Sequence, residues 1–161
     1  MNKEIEKYIN DEVEKFRNEL TRKVDSMLEE ENKPKTVWDL KDEDIYYHIR
    51  DGYIESYPFD NHPFDIRARK IGNMFLTQEE AEFELERRKI EVVMRKYNVP
   101  FEYRENNWSI YYDHGIKALG VTYWSDNNYG VYHFKTKEIA QKVIDEVGEE
   151  RLKKYWFKVV D

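Results

Sequence analysis

Residues 45 to 57, Ile45-Tyr46-Tyr47-His48-Ile49-Arg50-Asp51-Gly52-Tyr53-Ile54-Glu55-Ser56-Tyr57, hold the reading on which the fold turns. Asp-Gly between two runs of aromatic and β-branched residues signals a two-residue hairpin, because both turn positions need positive φ. Such a turn sets Ile49 opposite Ile54 and His48 opposite Glu55. Downstream, Pro58 and Pro63 bracket a loop, and Pro63 to Ile71 reads as a short helix with Asn61 or His62 near its N-cap and Gly72 just past its end. A short strand is expected over Asn73 to Leu76. Thr77 with Glu80 three residues on is a capping box, opening a helix that runs to about Tyr97 before Pro100.

The scheme then recurs. Aromatic strands are expected over Trp108 to Asp113 and Ile116 to Trp124 around His114-Gly115, then a turn at Ser125 to Asn128 and a strand from Tyr129 to Phe134. Thr136 caps a helix ending at Gly148; a last helical turn or two over Glu149 to Lys154 and a terminal strand from Tyr155 to Val160 complete the chain. The strings Phe75-Leu76-Thr77-Gln78-Glu79-Glu80-Ala81 and Phe134-Lys135-Thr136-Lys137-Glu138-Ile139-Ala140 share Phe, Thr, Glu and Ala at identical offsets. We read an internal duplication of a strand-strand-strand-helix unit, with all six glycines at turns or element ends.

Upstream, Ile5, Ile9, Val13, Phe16, Leu20, Val24 and Met27 follow spacings of 4, 4, 3, 4, 4 and 3. That is one apolar stripe on a long helix, close to a heptad seam carrying a four-residue stutter. Pro34 ends it, and only Tyr8 and Phe16 among the aromatics precede residue 37. The expected fold is therefore α+β: an amphipathic helix over 1–33, then two related antiparallel sheet-plus-helix modules over 37–97 and 101–161. The helix after Thr77 has two apolar faces, Ala81, Leu85 and Val92 against Phe83, Ile90, Met94 and Tyr97, and so is placed centrally. The helix after Thr136 is apolar only along Ile139, Val143, Ile144 and Val147 and belongs outside. The N-terminal stripe is expected to pack on Phe83, Ile90 and Met94 or on a second copy, giving a monomer or a homodimer, with the intramolecular choice preferred.

Composition narrows the chemistry. The 161 residues hold no cysteine, which removes disulfides, thiolate metal sites and thiol catalysis and suits a reducing compartment. No run approaches the roughly 18 apolar residues of a membrane span, and the charge-studded stretch Met1 to Leu20 is no signal peptide. A cytoplasmic protein without membrane contact is expected. His48, His62, His114 and His133 lack ligand spacing, Ser26, Ser56, Ser109 and Ser125 sit in no nucleophile elbow, and no Gly-rich phosphate loop exists. No catalytic, cofactor or metal residue is thus assigned, and the chain is expected not to be an enzyme. Basic clusters at Arg67, Arg69 and Lys70, at Arg87, Arg88 and Lys89, and at Arg151, Lys153 and Lys154 raise nucleic-acid binding as an alternative. A net charge of -7 and acidic neighbours weigh against it.

What the pattern favours is a protein partner. Alternating strand positions cannot all bury a surplus of 13 Tyr and 4 Trp, and exposed aromatics on rigid strands anchor interfaces. Tyr53, Tyr57 and Trp124 are the candidate anchors, and Asp39, Asp42, Glu43 and Asp44 the candidate acidic guide toward a basic groove.

The two strings quoted above, with Ile71-Gly72-Asn73 before the first and Gly148-Glu149-Glu150-Arg151-Leu152-Lys153-Lys154-Tyr155 after the second, resemble the small accessory proteins of Firmicutes phages and prophages over roughly residues 40 to 161. The resemblance carries no site residues across. It implies protein binding inside a bacterial host, where some such proteins inhibit defence nucleases, among them anti-CRISPR proteins directed at Cas9. The expected function is a non-enzymatic inhibitor of a host defence protein, with a Cas9 nuclease as one such target. A structural homodimer of a phage protein is a further alternative.

Overall fold

The computed structural model describes residues 3–32, 36–127 and 130–159. Pro34, expected to end the first helix, and Asn128, Tyr129 and Val160, expected at the edges of later elements, lie outside these. Among the described residues the fold is α+β, with five α-helices and two separate two-stranded antiparallel sheets.

Helix α1 spans Lys3–Asn32. Strands β1 (Ile45–Arg50) and β2 (Tyr53–Pro58) pair in the register the Asp-Gly turn dictates, His48 on Glu55 and Ile49 on Ile54, with Asp51 at φ 51° and Gly52 at φ 83°. Helix α2 (Pro63–Lys70) opens on a reciprocal cap: His62 Nδ1 accepts from the Phe64 N–H, and the Asp65 carboxylate accepts from the His62 N–H. It covers the Tyr46 and His48 face of the hairpin, enclosing a small core of Leu40, Tyr46, Phe59, Ala68 and Met74. Arg69 lies between the rings of Trp38 and Phe59, 5.3 and 4.5 Å from their centroids, and so ties the 36–44 segment to α2 by cation–π contact.

Helix α3 (Gln78–Tyr97) is the shared element. It packs on β1 and β2 on one side, while Ile90 and Met94 enter a larger core with Phe134, Ala140, Val143, Ile144, Val147 and Leu152. That core also takes the inner face of β3 (Asn107–Asp113) and β4 (Ala118–Trp124), and is roofed by α4 (Lys137–Val147). Across the two halves, Glu146 accepts from Lys96 and Tyr97, and Glu86 from Arg151. The break at residues 98–100 therefore divides the chain but not its packing.

Several expectations are corrected. The third strand of each module shrinks to isolated bridges, Tyr47 with Phe75 in the first, and Trp108 with Phe134 in the second, where Val99 with His133 adds another. Two residues after each phenylalanine the chain must enter a helix cap. Thr77 Oγ1 accepts from the Glu80 N–H and Thr136 Oγ1 from the Ile139 N–H, leaving no length for a ladder. Strand β4 starts at Ala118 rather than Ile116, because the Asp113 carboxylate holds the N–H groups of Gly115 and Ile116 and Lys117 turns at φ 54°. Gly120 lies inside β4, not at its end: the Tyr111 ring lies across it, and a Cβ there would come within 2.5 Å of ring carbons.

The terminal strand is absent among the described residues. The helical turn expected from Glu149 is present as the three-residue helix α5 (Glu149–Arg151), but it runs on past Lys154 into a π-helical turn, Leu152–Trp156, closed by Phe157 N–H on Leu152 C=O at 3.0 Å. The wider turn lets Tyr155, Trp156 and Phe157 all pack on the core around fully buried Leu152. Nor does α1 pack on Phe83, Ile90 and Met94. Phe83 faces the Tyr155 ring at 5.2 Å, and Ile90 and Met94 are covered by the second half of the chain.

Candidate protein-binding surfaces

The acidic stretch is a structured loop. The Asp39 carboxylate accepts from the N–H and hydroxyl of Thr36, and the Asp44 carboxylate accepts from the Lys41 N–H at 2.7 Å. Glu43 takes φ 72° and donates its N–H to Phe59 C=O. Among the described residues the carboxylates of Asp42 and Glu43 are exposed and accept no hydrogen bond; because the Glu43 backbone is held by Phe59, Asp42 is the better charge probe.

The aromatic candidates separate. Tyr53 sits at the turn end of the hairpin and is 73% exposed. Tyr57 stands at the other end, next to the acidic loop, with its ring 5.1 Å from His48 and its hydroxyl donating to Glu55. Trp124 belongs to the other sheet and covers its own strand pair, donating Nε1–H to the Ser109 hydroxyl at 2.6 Å. The structure thus brings Tyr57 and the acids to one end of β1–β2 and leaves Tyr53 and Trp124 apart from them. Sequence reasoning missed Trp38 and Tyr103, both largely exposed, because both lie in loops where no strand alternation marks the outward side.

A continuous exposed apolar stripe runs along α1. Ile5, Ile9, Val13, Phe16, Leu20, Val24 and Met27 are each between 46% and 64% exposed. Its spacing was legible; that the rest of the chain would leave it uncovered was not.

Among the described residues two of the three basic clusters are matched by carboxylates of the same chain, while Arg67, Arg69 and Lys70 form no ion pair. Arg87 and Arg88 both bind Glu84, and Arg87 also binds Glu91. Hydrogen bonds from Arg87, with Arg88 beside it, hold the Glu84 carboxyl below the usual carboxylate range. Arg95 pairs with Glu91, Lys89 and Arg151 with Glu86, and Lys153 with Glu149.

Two buried histidines stand out. His48 and His133 are almost fully buried, and among the described residues neither ring nitrogen of either has a hydrogen-bond partner. His48 is ringed by Tyr46, Tyr57 and Phe64, with the Glu55 carboxylate 3.5 Å from Nε2; His133 lies against Phe101. Burial pushes both imidazoles below the ordinary histidine value, opposed at His48 only in part by Glu55. Both are neutral in the fold at pH 7. As pH falls below about 6.5 the unfolded chain takes up protons that the folded chain refuses, so stability drops. Melting temperature should be flat above pH 7 and fall from pH 6.5 to 5. A His48→Leu/His133→Leu variant should lose most of that slope in a thermal-melt series, and an unchanged slope would exclude these residues as its source.

Among the described residues no helix is long and apolar enough to cross a membrane, and no three His, Asp or Glu side chains cluster as a metal site. In comparison with known proteins, no family model, no curated protein and no solved structure matches this chain.

Proposed function

We propose that this chain is a non-enzymatic, phage-type accessory protein that inhibits a host defence protein by binding it, with a Cas9 nuclease as the first target to try. The observation that carries the reading is the first hairpin, a rigid two-stranded element that holds Tyr53 in solvent and, at its other end, sets Tyr57 beside the acidic loop. Large aromatics on a fixed backbone lose little entropy on binding, and acidic groups at the rim steer approach to a basic groove. The alternative, direct nucleic-acid binding, is weakened by the pairing of Arg87, Arg88, Lys89, Arg151 and Lys153 with carboxylates of the same chain. The two halves are read as copies of one module, a reading supported by the matched bridges at Phe75 and Phe134 and the matched caps at Thr77 and Thr136.

The test is titration of the purified protein into a Cas9–guide complex cutting plasmid DNA. A binding inhibitor stops cleavage only as it approaches stoichiometric amounts, whereas a catalytic inactivator acts far below them. On the captured complex, surface plasmon resonance should show Asp42→Lys slowing association and Tyr53→Ala raising the dissociation rate on the order of tenfold or more. Retention on a DNA column that falls steeply with salt, without effect on the nuclease, would favour the alternative.

A further inference from the structure

The stripe on α1 has a repeat of its own. Spacings of 4, 4 and 3 occur twice from Ile5 to Met27, two periods of eleven residues. Eleven residues are close to three helical turns, so the stripe runs nearly straight for roughly 33 Å at 1.5 Å per residue. The opposite face is polar, with Lys7, Asp11, Lys15, Asn18, Arg22 and Asp25. An amphipathic helix in a protein draws most of its stability from whatever covers its apolar face. None of its residues whose burial is described belongs to either hydrophobic core.

We propose that a second copy of this chain covers the stripe, the two α1 helices lying parallel in a two-stranded coiled coil. Seven side chains about half exposed offer on the order of 700 Å² per helix, near the roughly 800 Å² per partner of a standard interface. The flanking charges choose the copy and its direction. At 100° per residue, Glu12 borders the stripe on one side and Arg17 on the other, five residues on. In a parallel pair each Glu12 meets the other helix's Arg17, the spacing by which such dimers match charge across the seam. An antiparallel pair instead sets Arg17 beside Arg17. The parallel arrangement also stacks like on like, with Phe16 at the centre of seven layers. This inference does not depend on the proposed target, since the stripe and the first hairpin are different surfaces.

The test uses the full chain. Light scattering after gel filtration at tens of micromolar should give twice the 19.8 kDa chain mass. Phe16→Glu/Leu20→Glu should return the monomer mass, while tryptophan fluorescence and the melting of the remaining fold persist, because all four Trp lie outside α1. Glu12→Arg or Arg17→Glu alone should weaken dimerisation at least threefold, and the two reversals together should restore it. The chain has no cysteine, so Ile9→Cys gives a clean probe: a parallel pair oxidises to a covalent dimer, whereas an antiparallel pair sets Ile9 near Val24 and does not. A wild-type monomer at these concentrations, a higher oligomer, or failure of Ile9→Cys to cross-link would each overturn the proposal.

Discussion

Phe134→Ala should destabilise the protein by about 4 kcal/mol, and Phe75→Ala by clearly less, about 1–2 kcal/mol. The two phenylalanines occupy matching places: each exchanges both backbone hydrogen bonds with the first strand of its hairpin, Phe75 with Tyr47 and Phe134 with Trp108, just before a threonine cap. Their burial differs. Phe134 is 1% exposed, at the junction of α3, α4 and the π-helical turn, while Phe75 is only half-buried, next in sequence to the Met74 that fills the smaller first core. Truncating Phe134 opens a cavity that well-packed neighbours on several elements cannot refill. Against a total of roughly 5–15 kcal/mol that loss is large. Urea unfolding followed by tryptophan fluorescence would measure both variants, and equal losses would mean that backbone placement rather than side-chain burial sets the cost.

The same comparison shows where sequence stops short. Short-range chemistry was legible: Asp51-Gly52 fixed a register, Thr77 and Thr136 capped helices, and Pro63 with Gly72 bounded α2. Each depends on a few adjacent residues with strong backbone preferences. The third strands were misjudged because an aromatic run before a cap looks like a strand, whether it pairs over four residues or one. Gly120 reads as a turn until Tyr111 is placed across it, and the π-helical turn rests on how Tyr155, Trp156 and Phe157 meet a core assembled from distant segments. The α1 stripe marks the sharpest limit. A periodic apolar face demands a cover, but its period is equally compatible with a cover from the same chain or from another, and only the packing of Ile90 and Met94 elsewhere removes the first choice. For the candidate anchors, alternation said that some tyrosines must be exposed. That Tyr46 is buried and Tyr53 open follows from α2, which covers one end of one face.

The other large effect is expected at Asp65, a residue that no sequence pattern singled out, the cap of α2 being expected at Asn61 or His62. Its carboxylate is buried and accepts from the Tyr46 hydroxyl at 2.7 Å and from the N–H groups of Asp60 and His62 at 3.2 and 3.1 Å. One side chain thus ties β1, the Pro58 to Pro63 loop and the start of α2 together, with the positive end of the helix dipole stabilising its negative charge. Asp65→Ala strands three donors, one of them a buried phenol, and should cost about 3 kcal/mol. Tyr46→Phe should cost only about 1 kcal/mol, because the carboxylate keeps its two backbone donors. Burial alone would push the Asp65 carboxyl up, but the hydrogen bonds from Tyr46, Asp60 and His62 outweigh it and leave it below the ordinary value of 3.8. A depressed folded-state value means that the contribution is complete above the unfolded value and is lost as pH falls through the folded one. The stability difference between wild type and Asp65→Ala should therefore stay constant from pH 8 to about 5 and shrink only below about 4, well under the range in which His48 and His133 act. Urea titrations at pH 7, 5 and 3 separate the two effects: a difference that already shrinks between pH 7 and 5 would show that the carboxylate is not held in its charged form by these bonds, and the account of this junction would fail.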